Sequence, residues 1–395
     1  MDVTVAPIPP SYDQFRARLT EVIATHRPGL RWKPRTGLRV PEDRETVEQL
    51  RRWVRALHDA GFVLERFSER PVDPFEQRIL ADELGRTGIP FVLGNPLVSG
   101  ALKQFGTQEQ RRIFLDGMAN GTHIWTQLFS EPNAGSDLTA LATRARRDGD
   151  HYVVDGQKVW STWAQWADFG YLLARTGPEP GSAGISAFVL DMRLPGIEVR
   201  PLREMTGTAD FNEVFLSGVR VPASDMLGEP GQGWLVAQAS LAAERGGVGA
   251  DGSSELIEDL VELARRSRRH GQPSISDAAV RQDLAALAAR ARIHTYLGYS
   301  AATRAQRGEH LASDAPLRKV WFSELNLDVV EYGLSLQSAR SILAEGDPRV
   351  DDDGRWQDMF LYARAWTIAG GSNEIMRNLI AERGLGLPRE PRPAS

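Results

Sequence analysis

The hydrophobic period of the chain changes twice, from helical to alternating near Gly121 and back to helical near Trp234, and this double change limits the fold more than any other feature. Residues 11–120 are helical in pattern. Within 45–60, Val47, Leu50, Val54 and Leu57 recur at three- and four-residue steps until Gly61 stops the run, and a second helix over 74–87 ends at Gly88. Past Gly121, short β-rich runs (HYVVDGQKVW, FGYLLAR, ISAFVLDM, IEVRPL, FNEVFL) stand between Gly, Pro and Asp breaks, and Asp155-Gly156 has the composition of a tight turn. From Trp234 the helical spacing returns. The runs 277–308 and 314–346 could each span ~45 Å at about 1.5 Å per residue, as members of a four-helix bundle do. RGEHLASD separates them, GDPRVDDDGRW (346–356) is an acidic, turn-rich insertion, and LPREPRPAS is expected to be a frayed tail. The expected fold is α+β and multidomain: an N-terminal helical domain (1–122), a middle antiparallel β domain (123–232) and a C-terminal four-helix bundle (233–395).

Composition narrows the chemistry. A chain of 395 residues with 42% hydrophobic content and ten Trp can fill two or three cores. A net charge of -5, with one dense basic run at 265–269 (RRSRR), argues against nucleic-acid and membrane partners, which need a concentrated basic surface. The absence of cysteine excludes disulfides, thiol nucleophiles and thiolate metal sites, and the seven His form no HxxxH pair. No stretch reaches the ~18 apolar residues of a membrane helix, and MDVTVAPIPPSYDQF lacks a basic n-region with an apolar run, so a cytoplasmic location is expected. The only lysines, Lys33, Lys103, Lys158 and Lys319, stand beside many arginines, a bias that a GC-rich genome would impose.

Two motif candidates carry unequal weight. GVGADG (247–252) matches GxGxxG, but it follows a helical segment rather than a strand, so its glycines fit a flexible or tightly packed helix better than a dinucleotide turn. WTQLFSEPNAGSDLTAL (125–141) is more informative. Ser130-Glu131-Pro132 ends a strand, and a tight turn over 133–137 presents N–H groups and hydroxyls at a sheet edge, donors that suit a polar ring edge or a phosphate. Alone, this would be an ordinary β-turn. Followed about 20 residues later by GQKVWST, it becomes one member of a spaced set.

That set resembles the acyl-CoA dehydrogenase family, whose middle-domain signature is a (T/S)EPxAGSD loop followed by NGxKxWIT. The resemblance continues through NEVFLSGVRVP, GEPGQGW and IAGGSNEIMRNLIAERGLGLP, and covers almost the whole chain in order. It implies an FAD enzyme that removes hydrogens from Cα and Cβ of an acyl thioester. Gln127, Leu128, Phe129 and Ser130 would then line the isoalloxazine edge, Trp160 would pack against the flavin and Thr162 would hydrogen-bond near its reactive nitrogen. Ser136 would sit near the pyrophosphate and also contact substrate, and Ser372 and Glu374 would lie near the ADP half. Many family members carry the catalytic Glu at the position that aligns with Gly370, which has no base to offer, although its N–H could polarise the thioester carbonyl. A branch resembling isovaleryl-CoA dehydrogenase places the base in an L-x-x-E-R context, here Leu241-Ala242-Ala243-Glu244-Arg245. Glu244 is therefore the candidate base. Leu241 and Arg245 are candidate substrate contacts, and helical spacing groups Glu244 with Ala237, Leu241 and Val248.

The pattern also departs from the family. Where an Arg-x-x-Phe-Gly segment would reach a neighbour's FAD, the chain reads Ser267-Arg268-Arg269-His270-Gly271, with Arg266 or Arg268 as substitutes, and the expected Q-x-x-G-G-x-G is replaced by LQSARSILAEGDPRVDDDG. An Asp that often contacts pantetheine is Ala242. Similar departures occur in heteromeric actinobacterial members, so the expected assembly is a dimer-based tetramer, as a homo-oligomer or with a second family subunit, passing electrons to an electron-transfer flavoprotein. A flavin oxidase or monooxygenase, an acyl-carrier-protein dehydrogenase and a non-catalytic half-site subunit stay open as alternatives.

Overall fold

Side-chain caps place the first helices close to where the apolar period puts them. The computed structural model describes residues 12–30, 40–247, 253–306, 309 and 311–389. After α1 (Asp13–His26), α2 (Arg44–Asp59) starts where the Asp43 carboxylate accepts the Thr46 N–H at 2.7 Å. Asp73 caps α3 (Pro74–Arg86) in the same way, with Pro at its first position, where a missing N–H costs nothing. The short α4 (Val98–Phe105) is followed by α5 (Gln108–Ala119), opened by a reciprocal capping box between Thr107 and Gln110. Leu19, Val47, Leu50, Trp53, Ile79 and Leu80 form the core between the first three helices.

The strands then follow as β1 (Trp125–Leu128), β2 (Arg144–Asp148), β3 (His151–Lys158), β4 (Phe169–Arg175), β5 (Ile185–Asp191), β6 (Ile197–Leu202), β7 (Phe211–Pro222) and β8 (Met226–Leu227). They form one sheet of order β6-β7-β3-β2-β4-β5-β8, with β1 on β4. Val154, Leu172, Phe188, Leu190, Val214 and Val219 are buried together on it. Two sequence expectations are corrected here. The sheet is mixed rather than antiparallel throughout, since β1 runs parallel to β4 and β2 meets β4 in one parallel pair, Arg144 with Arg175. The physical reason is the connection: the whole β2–β3 hairpin lies between β1 and β4, and only such a long crossover brings a strand back in the same direction. Asp155-Gly156 is no turn either. The turn of that hairpin is at Gly149-Asp150, and Asp155-Gly156 lies inside β3, where Asp155 faces a bulge made by Ser217 and Gly218 of β7 and a β-carbon on Gly156 would meet the Thr143 hydroxyl at 2.3 Å.

The helical part that follows comprises α6 (Gly233–Gly247), α7 (Ser253–Arg266), a small hairpin of β9 (Arg268–Arg269) and β10 (Gln272–Pro273), α8 (Ala278–Gln306), α9 (Asp314–Gln337), α10 (Arg355–Ile368) and α11 (Asn373–Leu379). α7, α8, α9 and α10 form the four-helix bundle around Leu260, Leu263, Leu284, Leu325, Val329 and Trp356. α9 is 24 residues long, about 36 Å, and stops at Gln337 rather than continuing to Gly346. Ser338 adopts φ 53°, which ends the helix, and a 3-10 turn takes over. The chain divides into two compact units, the first ending at Ser240 and the second resuming at Leu241. No described helix is long and apolar enough to cross a membrane.

Candidate functional site

In the first unit, the end of β1 and the end of β3 are tied together by several hydrogen bonds. The Val159 N–H donates to the Ser130 carbonyl at 2.9 Å, and the Thr126 hydroxyl donates to the Thr162 carbonyl at 2.8 Å. Asn212, fully buried at the start of β7, holds Ser161 from the other side: the Ser161 N–H donates to its carbonyl at 3.0 Å and its amide donates to the Ser161 carbonyl at 2.9 Å. These bonds hold Trp160 and Trp163 in the left-handed region, at φ 60° and 65°. Each such residue costs about 1–3 kcal/mol, a strain that concentrates at functional sites. Trp160 is 58% exposed, touching Phe211 edge-on at 5.7 Å.

The side chains of Leu128 and Phe129 are buried, so only their main chain can reach a ligand. Gln127 is held by the Asn95 amide, which donates to its side-chain oxygen at 3.0 Å. The turn itself runs over 131–134, two residues earlier than expected, closed by reciprocal Glu131–Ala134 backbone bonds at 3.0 Å, and Ser136 lies exposed in the bend after it. Under the turn, the Lys158 ammonium donates to the Glu131 carboxylate at 2.8 Å and to the Phe129 carbonyl at 3.1 Å. Glu131 also accepts the N–H groups of Ala142 at 2.6 Å and Thr143 at 2.9 Å. Burial opposes the charge on Glu131, but Lys158 and these donors outweigh it and hold the carboxyl below its ordinary value. Burial pushes the Lys158 ammonium down to about 8, against the pull of Glu131.

In the second unit, Gly370 and Gly371 are left-handed at φ 67° and 94°, in the turn between α10 and α11. Nothing lies within 4 Å of a β-carbon built on Gly370, so space is free there, but an L-residue would be strained. Ser372 caps α11 by accepting the Ile375 N–H at 3.3 Å, and Glu374 is exposed in its first turn, its pKa lowered first by a backbone N–H and then by Ser372. Beside this turn the buried Lys319 donates to the Asn373 side chain at 2.8 Å, and the Ser323 hydroxyl donates to the same oxygen at 2.9 Å.

The structure brings Gln127, Leu128, Phe129, Ser130, Trp160 and Thr162 together in one unit, and Gly370, Ser372 and Glu374 together in the other. Leu241 is half-buried in α6. Glu244 and Arg245 belong to α6, but their side chains lie outside the described residues, as do Val248 and most of GVGADG. Ser267 is buried against the Ser274 hydroxyl at 2.9 Å, and Arg266 makes two bonds to Asp352 of the acidic insertion at 2.8 and 2.9 Å. Arg266 is thus engaged within its own chain. A groove of about 740 Å³ beside the insertion, lined by Ile342, Leu343, Pro348 and Val350, holds none of the predicted residues. Sequence reasoning missed Thr126, Asn212 and the two buried lysines as supports of the motif turns. The signal for Lys158 was its place in GQKVWST.

Residues 126–219 match the family model described as the acyl-CoA dehydrogenase middle domain, and residues 231–385 the one described as the C-terminal domain. The chain is 36% identical over 401 residues to acyl-CoA dehydrogenase IpdE1 of Mycobacterium tuberculosis, with 96% of this chain and 98% of that one covered. It is 34% identical to acyl-CoA dehydrogenase FadE34 of the same organism, over 89% of this chain and 47% of that one. Among solved structures, the ChsE4-ChsE5 complex from Mycobacterium tuberculosis aligns with a TM-score of 0.81 at 27% identity, covering 99% of this chain and 100% of that one. The Tcur3481-Tcur3483 steroid ACAD aligns with a TM-score of 0.80 at 28% identity, covering 97% and 99%.

Proposed function

The chain belongs to the acyl-CoA dehydrogenase family, FAD-dependent oxidoreductases that act on CH–CH bonds, and from that premise we propose that it desaturates an acyl-CoA thioester at Cα–Cβ with Glu244 as the base. The observation that carries this reading is the strained, exposed Trp160 in a segment whose neighbours Val159 and Thr162 are bonded to Ser130 and Thr126 of the β1 end. An exposed aromatic surface on a segment tied to a polar strand end fits a fused ring with a polar edge. Bound there, FAD supplies the acceptor for the β-hydride.

The remaining chemistry belongs to the chain. Main-chain groups of 127–130 and the Ser130 hydroxyl fix the ring edge, Trp160 covers its face, and Ser136, Ser372 and Glu374 serve the phosphate and ADP parts. Glu244 takes the α-proton. The Gly370 N–H donates to the thioester carbonyl and stabilises the charge that builds on it as that proton leaves. Leu241 and Arg245 contact substrate. The left-handed Gly370 supports a base located elsewhere, because a Glu at that position would carry backbone strain. The proposal includes the division into domains 1–122, 123–232 and 233–395, a cytoplasmic tetramer, and an electron-transfer flavoprotein as acceptor. The steroid ACAD likeness makes ring-bearing acyl groups the first class to test.

Anaerobic mixing with straight-chain and steroid-derived acyl-CoA thioesters tests the reading. The expected result is bleaching of the flavin band by at least one thioester and by none of the matching free acids. An oxidised spectrum throughout contradicts it.

A second reading, a half-site subunit of a two-chain dehydrogenase, is favoured by one observation: Arg266 is bound to Asp352 and Ser267 is buried, so the segment that would serve a neighbour's cofactor is turned to its own chain. The flavin-to-protein ratio of the chain purified alone decides between them. A value near one per chain supports a complete enzyme, and a folded protein that takes up no added FAD supports the half-site subunit.

A further inference from the structure

Lysine is scarce in this chain, yet Lys158 and Lys319 are 0% and 2% exposed. Both end on a turn that carries predicted cofactor contacts: Lys158 on Phe129 and Glu131, Lys319 on Asn373. A biased genome explains the many arginines but not why the buried cations are lysines. The reason is geometric. The space under the segment 129–131 that leads into the turn offers one carbonyl and one carboxylate oxygen at 3.1 and 2.8 Å, which a compact ammonium satisfies, whereas a guanidinium would bring a wider plane and five donors.

The Lys158 contacts do more than neutralise a charge. Glu131 is already bound by two N–H groups, and the bond to the Phe129 carbonyl has no charge to compensate. That bond fixes the peptide between Phe129 and Ser130, the one that carries the Ser130 N–H. The neighbouring Val159–Ser130 bond fixes the other side of the same residue. We propose that Lys158 is a positioning residue of the cofactor site, holding the main chain at Phe129 so that the Ser130 donors face the same ligand as Trp160. This rests on the cofactor reading above.

The test strips flavin from the full-length chain and measures FAD binding by fluorescence titration, the absorption spectrum of the bound flavin, and melting temperature. Lys158→Met combined with Glu131→Gln leaves no unpaired buried charge. It is expected to weaken FAD binding at least tenfold and alter the flavin band shape. Lys158→Gln with Glu131→Gln returns an uncharged donor toward Phe129 and is expected to bind within about threefold of wild type with the native spectrum. Native affinity and spectrum in the first variant would overturn the proposal, because charge compensation alone would then account for the lysine. If the first variant does not fold, a tenfold loss in the folded second variant overturns it equally. Failure of the wild-type apoprotein to bind FAD would instead sink the reading of this chain as a complete FAD enzyme, on which the proposal rests.

Discussion

The Thr126 hydroxyl donates to the Thr162 carbonyl at 2.8 Å, linking the middle of β1 to the segment after β3. Thr126 is fully buried, so its hydroxyl has no other route to a partner in solvent. Thr126→Val keeps the shape and removes the donor. The expected loss is about 1–2 kcal/mol in urea unfolding, with weaker FAD binding because Trp160 and Thr162 lose a support. Wild-type values in both measurements would show that the bond contributes nothing.

Gly333 in α9 and Trp356 in α10 set the spacing of the bundle. A β-carbon on Gly333 would stand 2.3 Å from the indole Cε3, and the ring is fully buried and cannot withdraw. In an open helix, Gly→Ala gains up to about 1 kcal/mol. Here overpacking should outweigh that gain, so Gly333→Ala is expected to destabilise by about 1–3 kcal/mol. Gly85→Ala in α3, with nothing within 4 Å of its β-carbon, is expected to stabilise instead. Equal signs in thermal unfolding would contradict this account.

Lys319 gives a pH dependence with a defined sign. Burial, countered by Glu374 and Glu324, pushes its ammonium down to about 8, below the value of about 10.4 for an unfolded lysine. Between these values the unfolded chain holds more protons, so this group's contribution to stability rises with pH. Relative to Lys319→Met, the wild type should therefore gain stability from pH 8 to about 10.5. A gap that is constant or moves the other way in parallel unfolding curves would refute the assignment.

The order of helical and β segments was legible because periods of 3.6 and 2 leave strong local patterns, and the cap at Asp43 reinforces them. What escaped was non-local. The parallel β1–β4 pairing depends on strands more than 40 residues apart, and the bulge facing Asp155 is made by Ser217 and Gly218 of β7, a strand distant in sequence. The same limit hid the capture of Arg266 by Asp352 and the bond from Lys158 to Phe129, since neither pairing leaves a spacing signal. The residues that motif spacing selects, Gln127 to Ser130 with Trp160 and Thr162, lie in one unit because both halves end on strands that the sheet joins through β4 and β2.

The most direct test of the central claim is anaerobic flavin bleaching by an active acyl-CoA in Glu244→Gln, compared with wild type at matched flavin content. Loss of a positioned general base typically costs about 10²–10⁴ in rate. The expected result is a variant that folds, binds FAD and acyl-CoA, and bleaches slower by that factor. Bleaching at the wild-type rate would remove Glu244 from the reaction and require another base.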